Sequence, residues 1–73
     1  MKTLADLQVG EKAIIDNITD NDIMLRLMEM GLLPGESITV ELIAPLGDPI
    51  AISVSNYQLS IRKSDAKHVI LKT

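Results

Sequence analysis

The sequence predicts a mainly β fold, a small barrel of about five antiparallel strands with one short α-helix. Turn-forming glycine, proline and Ser-Asn residues divide the chain into short segments. Several segments alternate apolar and polar residues with a period of two, as a half-buried strand does. Only one segment has the apolar spacing of a helix. The 73 residues are expected to form one domain, 1–73.

The first strand is predicted at residues 12–18. A regular strand there places Ile14 and Ile18 on one face, with Ala13 and Ile15 on the other.

Three further strands show the alternation more clearly, and their apolar members are expected to face the core. In chain order these members are Ile38, Val40 and Leu42, then Ile50, Ile52 and Val54, then Tyr57, Leu59 and Ile61. Ser64 is predicted to cap a C-terminal helical turn. A closing strand is predicted at residues 68–71.

The helix is predicted at about residues 21–30. Asp20, Asn21 or Asp22 can cap its start, and Gly31 can end it by adopting a left-handed conformation.

The predicted helix has more apolar surface than a small barrel can cover. At about 100° per residue, the stripe expected to face the core contains Ile23, Leu27 and Met30, with Met24 at its edge. Leu25 and Met28 fall on another side, next to Arg26 and Glu29. A further contact could therefore cover that side.

Three turns are expected to shape the connections. Pro34 fixes φ and Gly35 accepts a positive φ, as in a type II turn, so this corner should hold the helix against the barrel. A second turn contains Gly47, Asp48 and Pro49. Asn56 is predicted to take the left-handed position of a third turn, which asparagine tolerates.

Composition disfavours several classes of function. The net charge is −3 and Tyr57 is the single aromatic residue, which is unlike a nucleic-acid-binding protein. The sequence contains no cysteine, and no apolar run reaches the roughly 20 residues of a membrane helix. We therefore expect a soluble, cytoplasmic protein that is not itself embedded in a membrane.

Catalytic and metal-binding patterns are also weak. His68 is the only histidine, and no serine lies in a nucleophile motif, so we expect no enzyme and no cofactor. The densest group of oxygen ligands lacks the spacing of a calcium loop, so no metal residues are assigned and weak divalent binding stays open. This group contains Asp16, Asn17, Asp20, Asn21 and Asp22.

The run from Arg26 to Glu36 resembles the signature of the ferrous iron transport protein A (FeoA) family, small SH3-like domains of bacterial iron uptake. The run from Ala44 to Pro49 resembles the second loop of that family, and Leu59 to Ala66 resembles its closing strand and helical turn. The chain departs from the family pattern at Asn56, where glycine is commoner.

The resemblance implies an accessory protein that binds the cytoplasmic, GTPase-containing part of the ferrous iron transporter FeoB. The alternative is an SH3-like module that regulates an iron-dependent transcriptional repressor. Family members are also associated with transition metal binding. The predicted partner-binding residues are Leu25, Arg26, Met28, Glu29, Leu32 and Leu33. The same surface could instead form a homo-oligomer.

Overall fold

The computed structural model of the protein describes residues 2–72. A short 3-10 helix precedes five strands and two helices. In chain order the elements are the 3-10 helix Leu4–Asp6, β1 Lys12–Ile18, α1 Asn21–Glu29, β2 Ser37–Ile43, β3 Ile50–Val54, β4 Tyr57–Ile61, α2 Lys63–Ala66 and β5 Val69–Leu71.

The strands form one antiparallel sheet in the order β4-β3-β2-β1-β5, which confirms the predicted mainly β fold. The N-terminal segment extends this sheet beyond β5. Thr3 pairs with Ile70, and the backbone N–H of Leu71 donates to the carbonyl of Lys2. Strand β5 therefore does not present an open edge along this stretch.

The N-terminal segment is held locally by Asp6. Its carboxylate accepts a hydrogen bond from the backbone N–H of Thr3 at 2.9 Å and another from the Thr3 hydroxyl. The backbone hydrogen bond lowers the pKa of Asp6.

A β-bulge at Asp16 changes which residues of β1 face the core. Ile15 pairs with Leu71, whereas Asn17 pairs with Ile70, so Asp16 is the extra residue. As a result Ile15 and Ile18 are both buried and Ile14 is exposed. The prediction that Ile14 and Ile18 share one face is therefore wrong.

A second bulge has the same effect in β2. Val40 pairs with Ile52 and Leu42 pairs with Ala51, which leaves Glu41 as the extra residue. Leu42 consequently faces solvent instead of the core.

The regular strand β3 follows the predicted pattern, with Ile50, Ile52 and Val54 all buried. In β4 the pattern holds only at one end. Ile61 is buried and Leu59 packs against the core, but Tyr57 is exposed.

The described core is entirely apolar and aliphatic. Every strand contributes to it, and so do the 3-10 helix and α1. The buried residues packed into this cluster are Leu4, Leu7, Ile15, Ile18, Leu27, Leu32, Ile38, Val40, Ile50, Ile52, Val54, Ile61, Ala66, Val69 and Leu71.

The two helices begin with different caps. The carboxylate of Asp20 accepts the backbone N–H groups of Asp22 and Ile23 at 3.1 Å, so Asp20 is the N-cap of α1. Helix α2 begins two residues earlier than predicted, because Arg62 rather than Ser64 occupies its N-cap position.

Candidate functional site

Helix α1 divides into a packed side and an exposed side. Leu27 is buried, and Ile23 and Met24 pack against the core. Leu25 is 62% exposed and Met28 is 37% exposed. The predicted division is correct for these five residues.

Met30 does not face the core as predicted, since its side chain is exposed. The helix ends at Glu29, and Met30 is its C-cap. The 100° step that places Met30 beside Leu27 applies only within the helix.

The chain leaves α1 through a Schellman motif. The backbone N–H of Gly31 donates to the carbonyl of Met28, and that of Leu32 donates to the carbonyl of Leu27, both at 3.0 Å. Gly31 has φ +97°, which confirms its predicted positive φ. This motif places the residue after the glycine against the last turn of the helix.

Leu32 is therefore buried in the core with 0% exposure. Its predicted place on the partner-binding surface is wrong, because the Schellman motif holds it against Leu27. Leu33, the next residue, is 40% exposed. A leucine directly after a helix-ending glycine is the sequence signal for this burial.

Tyr57 packs over this corner. Its hydroxyl donates to the carbonyl of Met30 at 3.1 Å. A Cβ atom on Gly31 would overlap the Tyr57 hydroxyl oxygen. Glycine is thus required here by both its backbone conformation and the lack of space.

The second half of the corner is bonded to β1. Gly35 has φ +92°, as predicted, and its backbone N–H donates to the carbonyl of Ile15 at 2.8 Å. The N–H of Ile15 in turn donates to the carbonyl of Glu36 at 3.0 Å. These bonds fix the corner that follows α1 against the sheet.

The exposed apolar residues Leu25 and Met28 of α1 and Leu33 of the corner are together called the helix face. Asp22 and Glu29 lie on the same side of the helix as Leu25, since they are three residues before it and four after it. Both acidic residues are exposed. The helix face therefore combines apolar side chains with negative charge.

Arg26 is engaged elsewhere. Its guanidinium lies 3.3 Å from the carboxylate of Asp65 and joins α1 to α2. Arg26 thus reduces the negative charge of the helix face only on the side toward α2.

A second exposed apolar residue stands on the loop between β2 and β3, which we call the 44–49 loop. Leu46 at its tip is 96% exposed. The N–H of Gly47 donates to the carbonyl of Ala44 at 2.7 Å, and the N–H of Ala44 donates to that of Pro49 at 3.1 Å. Gly47 takes a positive φ, and the Asp48-Pro49 peptide bond is cis.

The 44–49 loop is also tied to α2. The carboxylate of Asp48 accepts the backbone N–H of Lys63 at 2.9 Å, which satisfies a donor at the start of that helix. In the third predicted turn, Ser55 rather than Asn56 takes the positive φ, at 53°.

One further polar contact joins the residue after β1 to the residue before β5. The hydroxyl of Thr19 contacts Nδ1 of His68 at 3.0 Å. No three His, Asp or Glu side chains in this range are placed to hold a metal ion together. No helix in the described part is long and apolar enough to cross a bilayer.

Comparison with known proteins assigns the family. The FeoA domain matches residues 2–73, which is nearly the whole chain. The chain belongs to the FeoA family. The resemblance found in the sequence is thereby confirmed.

Solved FeoA structures share this fold over almost the full chain. An FeoA-like protein from Clostridium acetobutylicum is 34% identical with a TM-score of 0.89, and the match covers 96% of this chain and 83% of that one. The FeoA of Stenotrophomonas maltophilia, described as a prokaryotic SH3 domain protein complexed with zinc, is 30% identical with a TM-score of 0.86. That match covers 99% of this chain and 91% of the other. The fold is thus SH3-like, as predicted.

The family is linked to ferrous iron transport by a fused relative. An Fe(2+) transport protein A/Fe(2+) transporter FeoB fusion protein from Porphyromonas gingivalis is 34% identical over 67 residues. The match covers 90% of this FeoA-family chain but only 8% of the fusion protein. T. acidophilum IdeR, ScaR with bound Cd2+ and a manganese-dependent transcriptional repressor share the fold at 24%, 18% and 12% identity, and that likeness concerns the fold alone.

Proposed function

We propose that this chain is an accessory protein of ferrous iron uptake that binds the cytoplasmic, GTPase-containing part of FeoB. The observation that carries the proposal is the fusion of an FeoA segment to FeoB in the Porphyromonas gingivalis relative. Two domains joined in one chain stay at high effective concentration. A separate FeoA chain would need a docking surface to achieve the same association.

The helix face is the docking surface in this proposal. Exposed Leu25, Met28 and Leu33 are apolar anchors on rigid backbone, and Glu29 with Arg26 forms part of the polar rim. Interface energy concentrates in a few such anchors. The flexible side chain of Met28 can adapt to an uneven partner surface.

The mode of action in this proposal is binding and not catalysis. Docking changes the conformation or nucleotide turnover of the transporter. This requires the chain to bind one conformational state of the transporter more tightly than another, because only a difference in affinity shifts the balance between them. The repressor-linked alternative is supported only by the shared fold, so we do not develop it.

Replacing Met28 by glutamate tests the docking surface. A carboxylate in the middle of an apolar contact loses its hydration without gaining a partner. We expect affinity for the cytoplasmic domain of the FeoB from the same source to fall at least about tenfold, or about 1.4 kcal/mol. Isothermal titration calorimetry measures this affinity.

Val9→Glu is the matched control, because Val9 is also exposed and the change in charge is the same. This variant should bind like the original protein. No binding by the original protein would contradict the proposed function. If the folded Met28→Glu variant bound FeoB as tightly as the control, the helix face would not be the docking surface, although the binding of FeoB itself would stand.

A further inference from the structure

The corner that follows α1 is bonded to the hairpin formed by β3 and β4. The hydroxyl of Tyr57 donates to the carbonyl of Met30 at 3.1 Å. The hydroxyl of Ser55 donates to the carboxylate of Glu36 at 3.2 Å. Met30 is the C-cap of α1, and Glu36 is the last residue before β2. The hairpin therefore contacts the corner at both of its ends.

The bond from Tyr57 satisfies a carbonyl that the helix itself leaves free. The last carbonyls of an α-helix have no partner within the helix. The Schellman motif supplies backbone donors to the carbonyls of Leu27 and Met28. The carbonyl of Met30 receives its hydrogen bond from the side chain of Tyr57 instead. Tyr57 thus completes the end of α1 that carries Met28.

This completion matters because α1 is short. The helix has nine residues, Asn21–Glu29, whereas isolated helices shorter than roughly 12–15 residues are only marginally stable in water. Leu27 anchors its packed side in the core. Helices fray at their ends, and fraying of this last turn would move Met28 and Leu33 of the helix face.

We propose that Tyr57 is a positioning residue for the docking surface. Its bond to Met30 holds the last turn of α1 in the conformation in which Met28 and Leu33 bind FeoB. This inference rests on the proposed function. A surface that already has its bound conformation loses less conformational entropy when the partner docks. Tyr57 lies 27 residues after Met30 in the chain, so no local sequence pattern joins the two.

The bond can be removed without disturbing the core. Tyr57 and Met30 are both exposed, so the carbonyl of Met30 can bond to water when the hydroxyl is absent. Tyr57→Phe removes only the hydroxyl and keeps the ring beside Gly31. The variant should therefore stay folded, as substitutions at exposed positions usually do.

Two measurements on Tyr57→Phe test the inference. Hydrogen exchange should become faster at the amides of Gly31 and Leu32, which bond to carbonyls of α1. Affinity for the cytoplasmic domain of the FeoB from the same source, measured by isothermal titration calorimetry, should fall about fivefold. This factor corresponds to the loss of one typical hydrogen bond, because docking must then order the last turn of α1.

Ser53→Ala is the matched control. It also removes a hydroxyl that donates a side-chain hydrogen bond, but its acceptor is Glu41 of β2 and not a residue of the corner. Both measurements should stay unchanged in this variant. The variants are compared where each is fully folded, because apparent affinity depends on the fraction of competent protein. A merely structural role of Tyr57 would therefore leave the affinity unchanged.

The outcomes separate this inference from the proposed function. If the original protein does not bind FeoB, both fail together. If it binds, and Tyr57→Phe binds equally tightly, only the positioning role is overturned, even where hydrogen exchange becomes faster. A lower affinity without faster exchange would also overturn it, because the hydroxyl would then contact FeoB directly.

Discussion

The corner after α1, which contains Gly31, Pro34 and Gly35, and the 44–49 loop are both short turns with proline and glycine. A leucine in the first turn is buried, whereas the leucine in the second is exposed. Leu32 in the corner is 0% exposed, whereas Leu46 in the loop is 96% exposed. Both backbones are held by hydrogen bonds. Rigidity of the turn therefore does not decide where its apolar side chain goes.

The difference comes from what each turn is bonded to. In the corner, the N–H groups of Gly31 and Leu32 bond to carbonyls of α1, which brings Leu32 onto the packed side of that helix. In the loop, the bonds join Ala44 to Pro49 and Asp48 to α2, and none of them turns Leu46 inward. The first turn completes the core, and the second presents an apolar tip to solvent.

The largest expected loss of stability is at the corner, where replacing Gly31 introduces both backbone strain and steric crowding. Gly31→Ala places a Cβ atom on the Tyr57 hydroxyl at a positive φ. We expect a loss of about 3 kcal/mol in the free energy of unfolding, from strain and displacement of Tyr57 together. Chemical denaturation followed by circular dichroism measures it.

Gly35→Ala is the matched control. Gly35 has a similar φ, but nothing lies within 4 Å of a Cβ atom built there. This variant should lose about 1 kcal/mol, from the backbone conformation alone. Equal losses in the two variants would mean that Tyr57 moves aside at no cost, and the corner would then be no more crowded than an open turn.

The number of strands and their places in the chain could be predicted from the sequence, but the strand faces could not be predicted completely. The alternation in β3 gave the correct buried residues because β3 pairs regularly with β4 and the extra residue in its pairing with β2 lies on β2. In β1 and β2 the bulges at Asp16 and Glu41 reversed the alternation. Neither residue type marks a bulge, because the bulge depends on how two strands align.

The candidate site was predictable where it depends on helix periodicity. The exposure of Leu25 and Met28 follows from the wheel, whereas the positions of Met30 and Leu32 depend on where the helix ends. The wheel assigned Met30 to the core because it continued the helix one residue too far. The hydrogen bond from Lys63 of α2 to Asp48 was not predicted, because the two residues are distant in sequence.

A smaller loss of stability is expected when the hydrogen bond between the 44–49 loop and α2 is removed. Asp48→Ala removes the acceptor for the backbone N–H of Lys63. The expected loss is about 1 kcal/mol, as for other helix-capping groups. Faster hydrogen exchange at the Lys63 amide should accompany it.

Asp16→Ala is the control for this change, because Asp16 is exposed and far along the chain from α2. It should leave the exchange of Lys63 unchanged. If Asp48→Ala leaves that exchange unchanged as well, the loop is not held through α2. In that case the 44–49 loop would be held only by its internal hydrogen bonds, whereas the corner is held by hydrogen bonds to α1 and β1.

The smallest effect is expected at the tip of the loop. Leu46→Ala removes a side chain that is 96% exposed, so almost no buried contact is lost on folding. The free energy of unfolding should stay within about 0.5 kcal/mol of that of the original protein. A clear loss of stability would show that Leu46 packs against other residues of its own molecule, which would contradict its place at an exposed tip of the loop.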